Sequence, residues 1–561
     1  MQQTCAQCNG GFEVTEADLR FYEKVSPVIG GKMLSVPPPT FCPPCRQQRR
    51  ISWRNERNLR AGTCGLCKKK IVSVYGSDAP FPVYCNDCWW SDKWDAKDFG
   101  RSYDKTRPFL EQIGELQRVV PRNALYLKNA VNSDYCNHSL DLKNCYLCAC
   151  IGGVSENGLY SKWILKTRDF VDSYQLVDCE LCYESMYSNA CYNCIGVIKS
   201  QECRDSAFLY DCTGCSDCFQ CWNLRHKKYH IQNVEYSEAE YRRRRAAINL
   251  GRHAVFSDAR AEFLRLIRDR AINQAQFNRQ CEESSGDFLV RCKNVCASFD
   301  VEDAQDSAYC YGCGGIKDCF DINEAAVNCE LQCDAQSCDC GQRILFSHTS
   351  YYDSDMLYSD SCHSCHGITG CVGMRSVSNC ILNMQYSEQE YETLVPVIVE
   401  AMRREGTWGE FFPTAMSPFA YNDTVAMEYF PLTQEDVHAK GWRWRTIVEE
   451  PSDVVRIIDA CDVPDSIDDI PDDIVNWAIR SAASRRPYRI IRQELDFYRR
   501  MRIPIPRLHP DERYRVRMEL RNPRKLWNRE CMTCGKRVKT SFAPERPEKV
   551  FCEECYLKEV Y

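Results

Sequence analysis

The sequence predicts a mixed, multidomain chain: small metal-stapled modules at both ends, flanking a duplicated, cysteine-rich parallel β-solenoid with bridging helices. Three observations predict it. Six Cys-x-x-Cys pairs stand at the two ends, the two ends are copies of one another, and the 27 cysteines between Asn123 and Leu394 fall in a repeat offset by 150 residues.

The pairs come first. Cys5 and Cys8 are followed by Cys42 and Cys45, Cys64 and Cys67 by Cys85 and Cys88, and Cys531 and Cys534 by Cys552 and Cys555. A Cys-x-x-Cys turn offers two thiolates to one ion, and two such turns complete the tetrahedral four-cysteine shell of a structural zinc site. The alternatives are disulfides or free core thiols. Matched pairs in a chain that begins MQQTCAQC, without the apolar stretch of an export signal, favour zinc, about three per chain. All-cysteine shells leave no open position, so these ions are expected to be structural, and the modules read as zinc ribbons or treble clefs.

The copy relation reaches beyond the cysteines. Phe12, Leu19, Phe21 and Tyr22 align at an offset of 476 with Tyr488, Leu495, Phe497 and Tyr498, and Arg54, Asn55 and Leu59 match Arg521, Asn522 and Leu526. In this register Cys5, Cys8, Cys42 and Cys45 become Ser481, Ser484, His509 and Glu512, so the metal shell is lost in the second copy. Zinc in the first copy then reads as a staple for a small core.

The middle repeats as Val177–Leu181 with Val327–Leu331, Cys212, Cys215 and Cys221 with Cys362, Cys365 and Cys371, and Tyr236–Tyr241 with Tyr386–Tyr391. Many cysteines stand nine apart, punctuated by Asp-Ser, Ser-Asn and Lys-Asn dipeptides, with no helical periodicity. Frequent turns and short strands predict a parallel β-solenoid whose interior holds cysteine ladders. Cys212, Cys215, Cys218 and Cys221 approach a ferredoxin run but miss its last spacing and proline, and Ile368 replaces Cys218 in the other copy, which argues against iron–sulfur. Further zinc at Cys179 with Cys182, or Cys191 with Cys194, stays open beside plain core thiols.

Ser237 with Glu240 and Ser387 with Glu390 form capping boxes that open helices, an amphipathic helix is expected over 257–277, and another over 392–406. Residues 449–473, acidic and broken by Pro451, Pro464 and Pro471, read as a linker. Cys461 there lacks a His or Asn partner and reads as a structural thiol.

Forty cysteines and 44% apolar residues support several folded cores in 561 residues, and no run of about 18 apolar residues suggests a membrane span. A soluble, cytoplasmic protein is expected. The net charge of -6 hides segregation: 485–529 holds fifteen Lys or Arg against five Asp or Glu, and 282–392 five against nineteen. No nucleotide loop, metalloprotease motif or nucleophile elbow occurs. His363 and His366 beside Cys362 and Cys365 are the histidines placed for metal.

Binding has more support than catalysis. Arg46, Arg49, Arg50, Trp53, Arg54 and Arg57 follow the last ligand of the first shell, and the C-terminal copy keeps Arg513, Arg517, Arg521 and Arg524. On a helix these guanidinium forks could reach phosphates and Trp53 could stack on a base. Equally, they could be solvated or pair with the acidic middle of the same chain. Trp89, Trp90 and Trp94 read as core residues.

The strings FCPPCRQQRRISWRNERNL, CWWSDKWD, YSEQEY, WGEFFP and SFAPERPEKVFCEECYLKEVY resemble uncharacterised multi-zinc-ribbon, cysteine-rich proteins of uncultivated, candidate-phylum bacteria. The resemblance implies zinc ribbons and a bacterial cytoplasmic origin. It implies no activity.

The expected domains are 1–60 (zinc module with basic helix), 61–122 (second zinc ribbon), 123–277 and 278–405 (solenoid copies), 406–475 (aromatic loop and linker), 476–530 (metal-free copy of the first module) and 531–561 (C-terminal ribbon). The expected function is a non-enzymatic zinc scaffold engaging RNA, DNA or a ribonucleoprotein. The alternatives are a metal-handling protein or metal-dependent enzyme using the solenoid thiols, and a purely protein-binding platform. Metal content separates the first two.

Overall fold

The computed structural model describes residues 1–324, 328–446, 454 and 456–561. Val327 of the repeat and Pro451 of the linker lie outside the described residues. The chain forms two compact units. The first comprises Met1–Leu125, Gln276–Thr446 and Arg524–Leu526, and the second Tyr126–Ala275, Ile447–Pro523 and Trp527–Tyr561.

The body of the second unit is a large curled parallel sheet. Its strands step by twelve residues: Arg168 pairs with Glu180, Glu180 with Tyr192, Tyr192 with Arg204, Arg204 with Ser216, and Ser216 with Lys228. Within each step the chain turns every third residue. From Asn157 to Gln232 each third residue has φ between 47° and 64°. Asn and Asp tolerate this left-handed conformation better than other side-chain-bearing residues, which is why Asp and Asn punctuate the sequence. The residue two before each such turn points inward, and from Ile164 to Cys221 every third residue is at most 4% exposed.

The rhythm is therefore three and twelve, and the nine-residue cysteine spacing is three triplets. It has a physical counterpart. Cys191 and Cys194 direct Sγ toward the carbonyls of Ser200 and Cys203, nine residues on, at 3.7 and 3.5 Å. They also reach the carbonyls two residues back at 3.5 and 3.3 Å. The same interior positions accept from the N–H twelve residues on, as Cys191 N–H donates to Cys179 Sγ (3.4 Å) and Cys212 N–H to Ser200 Oγ (3.0 Å). Turns every three residues leave backbone groups that the ladder does not pair, and small donor–acceptor side chains satisfy them in the interior. Cysteine and serine are interchangeable in that task.

The first unit carries the second curled sheet, with the same step (Gln342 to Ser354 to His366 to Ser378) and the same turns. One register step there is thirteen residues, Ile316 to Cys329. That extra residue changes the offset between the copies from 149 to 150.

Two helices differ from expectation. The helix expected over 257–277 spans His253–Arg270, burying Phe256, Phe263 and Leu266, because the chain continues from Ala271 into the strand Ile272–Gln274. The helix expected from 392 begins at Glu388, capped by Ser387 with a complete capping box to Glu390, and ends at Glu405 before Gly406 (φ 70°). Ser237 caps Glu238–Ala246, while the Glu240 carboxylate turns to Arg243 and Arg244 instead of closing the box. Among the described linker residues lie the strand Arg456–Asp459 and short 3-10 turns. No helix among the described residues is long and apolar enough to cross a membrane.

Candidate metal centres

Each pair of thiols arises from local backbone geometry that recurs four times. In the first module Cys5 N–H donates to Gly10 O (2.9 Å) and Asn9 N–H to Cys5 O (3.0 Å), with Asn9 left-handed. The turn repeats at Cys64 with Lys68 and Lys69, at Cys531 with Gly535 and Lys536, and at Ser481 with Arg485 and Arg486. It projects the residues at positions one and four of Cys-x-x-Cys to one side. The second pair sits at a helix N-terminus: Cys42 caps Pro43–Ile51, Cys85 caps Asn86–Trp89, Cys552 caps Glu553–Val560, and His509 caps Pro510–Met518. Unpaired N–H groups and the positive helix end favour thiolate there.

The twelve end cysteines meet in three groups of four, all sulfurs of a group within 4.8 Å of one another. Across the two turns Cys8 and Cys42 stand 3.7 Å apart, Cys67 and Cys85 3.9 Å, and Cys534 and Cys552 3.7 Å. A tetrahedral ion with metal–sulfur bonds of about 2.3 Å spaces its sulfurs about 3.8 Å apart. All three groups therefore suit a metal ion.

The electrostatics agree. A hydrogen bond from the Cys45 thiol, against the opposing burial, brings Cys42 down to about 5, while Cys45 is pushed up. Burial works against the Cys64 and Cys531 thiolates. Backbone N–H groups of Cys85, Cys67 and Leu66, and of Cys534, Cys552 and Thr533, overcome it and set each at about 6. Cys88, mainly through burial, and Cys555, mainly through the Cys552 thiol, rise to about 12. One sulfur per shell takes the charge while Cys45, Cys88 and Cys555 hold their protons, and a coordinated cation favours the thiolate form.

The fourth turn holds no such donor set. Ser481 Oγ donates to the Glu512 carboxylate, and His509 N–H donates to it at 3.0 Å. Burial opposes the charge on Glu512, but the Ser481 and Ser484 hydroxyls and the His509 N–H hold it below the usual carboxylate range. A hydrogen-bonded knot occupies the place of a metal shell.

The other candidate metal positions do not converge. Among the described residues no three interior sheet cysteines bring their sulfurs within 4.8 Å of one another. Cys212, Cys215, Cys218 and Cys221 each face the carbonyl two residues back, at 3.3–3.5 Å. His363 is packed against Trp89, Trp90 and Tyr351, and burial, aided by Arg375, lowers it to about 3. His366 is exposed and shares a 2.8 Å hydrogen bond with Ser354. Outside the sheets, exposed Cys461 does come within 4.8 Å of Asp459 and Asp462, a surface acidic group of a kind common without an ion.

The arginine stretch is helical only over Pro43–Ile51, with the face it presents to the sheet buried, and Trp53, Arg54 and Arg57 lie past the helix end instead of on one helical face, because the helix stops at its C-cap Ser52. Arg46 Nε donates to Asp321 at 2.8 Å, and Arg50 bridges Asp321 (3.3 Å) and Asp334 (2.5 Å), with side chains 4% and 0% exposed. Arg49 pairs with Glu410 at 3.5 Å, and Arg54 with Glu56 and Glu324. Trp53 is fully buried and stacked on Phe412, and Arg57 is partly buried. The second unit repeats the arrangement. Arg513 and Arg517 share Asp172 at 2.9 and 2.8 Å. Arg521 lies over the Tyr174 ring, and Arg524, in the first unit, pairs with Asp300 at 3.1 Å.

The correspondence is residue by residue. Asp321 and Asp172 differ by 149 positions, as do Tyr309 and Tyr160, whose rings lie under Arg46 and Arg513. Tyr309 donates to Asp18 at 3.3 Å, and Tyr160 to Glu494, the equivalent residue, at 3.0 Å. These acidic partners were missed in the sequence; the shared offset was the signal that could have found them. Trp89 and Trp94 are buried and Trp90 is 48% exposed. Compared with known proteins, the chain matches no protein-family model and no curated protein.

Proposed function

We propose that the protein is a zinc-stabilised, non-enzymatic scaffold of the cytoplasm. In this reading two cysteine-laddered β-solenoids each carry a treble-clef module and a zinc ribbon. The observation that carries it is the 3.7–3.9 Å spacing of facing sulfurs in three four-cysteine groups, the spacing four thiolates take around zinc. Four protein ligands leave no position for substrate or water, so the ions act as staples. The paired arginines support the scaffold: Arg46 with Arg50, and Arg513 with Arg517, are spent on buried aspartates that fasten a module to a sheet.

Elemental analysis of the reduced chain tests this reading. Three zincs per chain are expected. Markedly more metal, or stoichiometric iron, would instead make it a metal-handling protein that uses the interior thiols. A second reading, engagement of RNA or DNA, is favoured by one observation: exposed cations without carboxylate partners stand on both ribbon hairpins.

A further inference from the structure

An antiparallel hairpin closes the turn in all four modules, Gln2–Thr4 with Gly11–Glu13 and Trp477–Arg480 with Pro487–Tyr488 in the treble-clef modules, and the two ribbons differ in the charge theirs carries. Arg60–Thr63 pairs antiparallel with Lys70–Ser73, and Trp527–Glu530 with Arg537–Thr540, so the two hairpins coincide strand for strand at an offset of 467. At the turn and along the second strand they carry Lys68, Lys69 and Lys70 in one ribbon and Lys536, Arg537 and Lys539 in the other, all exposed. Among the described residues none of these six has a carboxylate within 4.0 Å; Lys68 donates only to Gly65 O, at 2.8 Å. The equivalent turns of the treble-clef modules differ. One offers Asn9 and Gly10, and in the other Arg485 and Arg486 are paired with Asp459 (2.8 Å) and Asp511 (3.2 Å).

The arginines of the basic helices are buried on carboxylates, whereas both ribbon hairpins keep cations without a carboxylate partner at matching positions, Lys69 with Lys536 and Lys70 with Arg537. We infer that the two ribbon hairpins bind the phosphate backbone of a nucleic acid. Compact ammonium groups on a turn suit point-charge contact with phosphates. Neither turn presents a stacking platform, so contact should be independent of base sequence. The inference rests on the nucleic-acid reading above and relocates its contacts from the buried arginines to the hairpins.

The test is fluorescence anisotropy of labelled single-stranded 20-mer RNA and DNA with the full zinc-loaded chain, between 50 and 200 mM salt. The variants are Lys69→Gln with Lys70→Gln, and Lys536→Gln with Arg537→Gln. Exposed substitutions of this kind leave folding within about 0.5 kcal/mol, and unchanged zinc content verifies it. Each double variant is expected to reduce the slope of log K against log salt by roughly 1.4, about 0.7 per lost contact. Lys317→Gln, whose lysine already pairs with Glu330, should leave it unchanged. Binding by the parent chain with unaltered slopes in both double variants overturns the hairpin assignment alone. Absence of binding by the parent chain overturns the nucleic-acid reading itself. Equal competition by polyglutamate of matched charge also overturns it, in favour of an acidic protein partner.

Discussion

Replacing Asp321 by asparagine should unfasten the first four-cysteine module from its sheet. Asp321 is 2% exposed in its side chain and is shared by Arg46 at 2.8 Å and Arg50 at 3.3 Å. The substitution keeps volume but strands the Arg46 guanidinium in the interior and leaves Arg50 with Asp334 as its one carboxylate, beside the Asn323 amide oxygen. Removing one partner of a buried ion pair costs about 3–5 kcal/mol, because the desolvated charge left behind is uncompensated. For a unit of this size that lowers the unfolding temperature by roughly 5–10 °C. A chain of two units does not unfold as one step, so calorimetry should be read with hydrogen exchange on peptides from 43–51 and 316–336. The first unit is expected to lose protection while the second keeps it. Asp172→Asn, at the equivalent position, should do the reverse through Arg513 and Arg517. A cost below about 1 kcal/mol would refute the clamp. So would equal damage from the quadruple change Asp321→Leu, Asp334→Asn, Arg46→Met and Arg50→Leu, which removes every charge of the cluster and should be milder.

Asp353 stands at an interior position where serine or cysteine serves elsewhere, and burial, against the hydrogen bonds of Ser350 and the Cys365 and Tyr351 N–H groups, raises it to about 6. A carboxyl raised above its unfolded value contributes stability below that value and loses it as pH rises through about 6. Asp353→Ser should therefore stabilise the first unit at pH 7.5 by on the order of 2 kcal/mol, with the difference vanishing near pH 4, as measured by thermal melts in excess zinc. Cys179→Ser should change stability by about 1 kcal/mol or less because serine still accepts from Cys191 N–H, whereas Cys179→Val orphans that N–H and should cost about 1–3 kcal/mol in the second unit. Installing cysteine at Ser481, Ser484, His509 and Glu512 together should add one metal per chain by elemental analysis, since the turn and helix cap are retained.

The thiol shells were legible in the sequence because each pair is fixed by a local turn and cysteine is the one residue the task admits. The parallel sheet was legible only in outline. Its twelve-residue step stands in the sequence, with Cys179, Cys191, Cys203 and Cys215 twelve apart, but cysteine, serine and valine share the interior positions and the more frequent nine-residue spacing masks it. The arginine stretch illustrates a different limit. Composition gives charge but not burial, and Arg46 meets its partner 275 residues away. Only the matching offsets of Asp172 with Asp321, and of Glu494 with Asp18, carried that information, and an isolated Asp has no local signature. The helix over 257–277 was misjudged at both ends because Ala271 and Ile272 continue its apolar pattern while joining a strand pairing with Lys549.

X-ray absorption at the zinc edge, combined with a metal count on the same sample, tests the central claim most directly. The account predicts three zincs per chain, each surrounded by four sulfurs at about 2.3 Å with no nitrogen or oxygen. Fewer than three ions, iron in their place, or a nitrogen or oxygen ligand in the shell would contradict it.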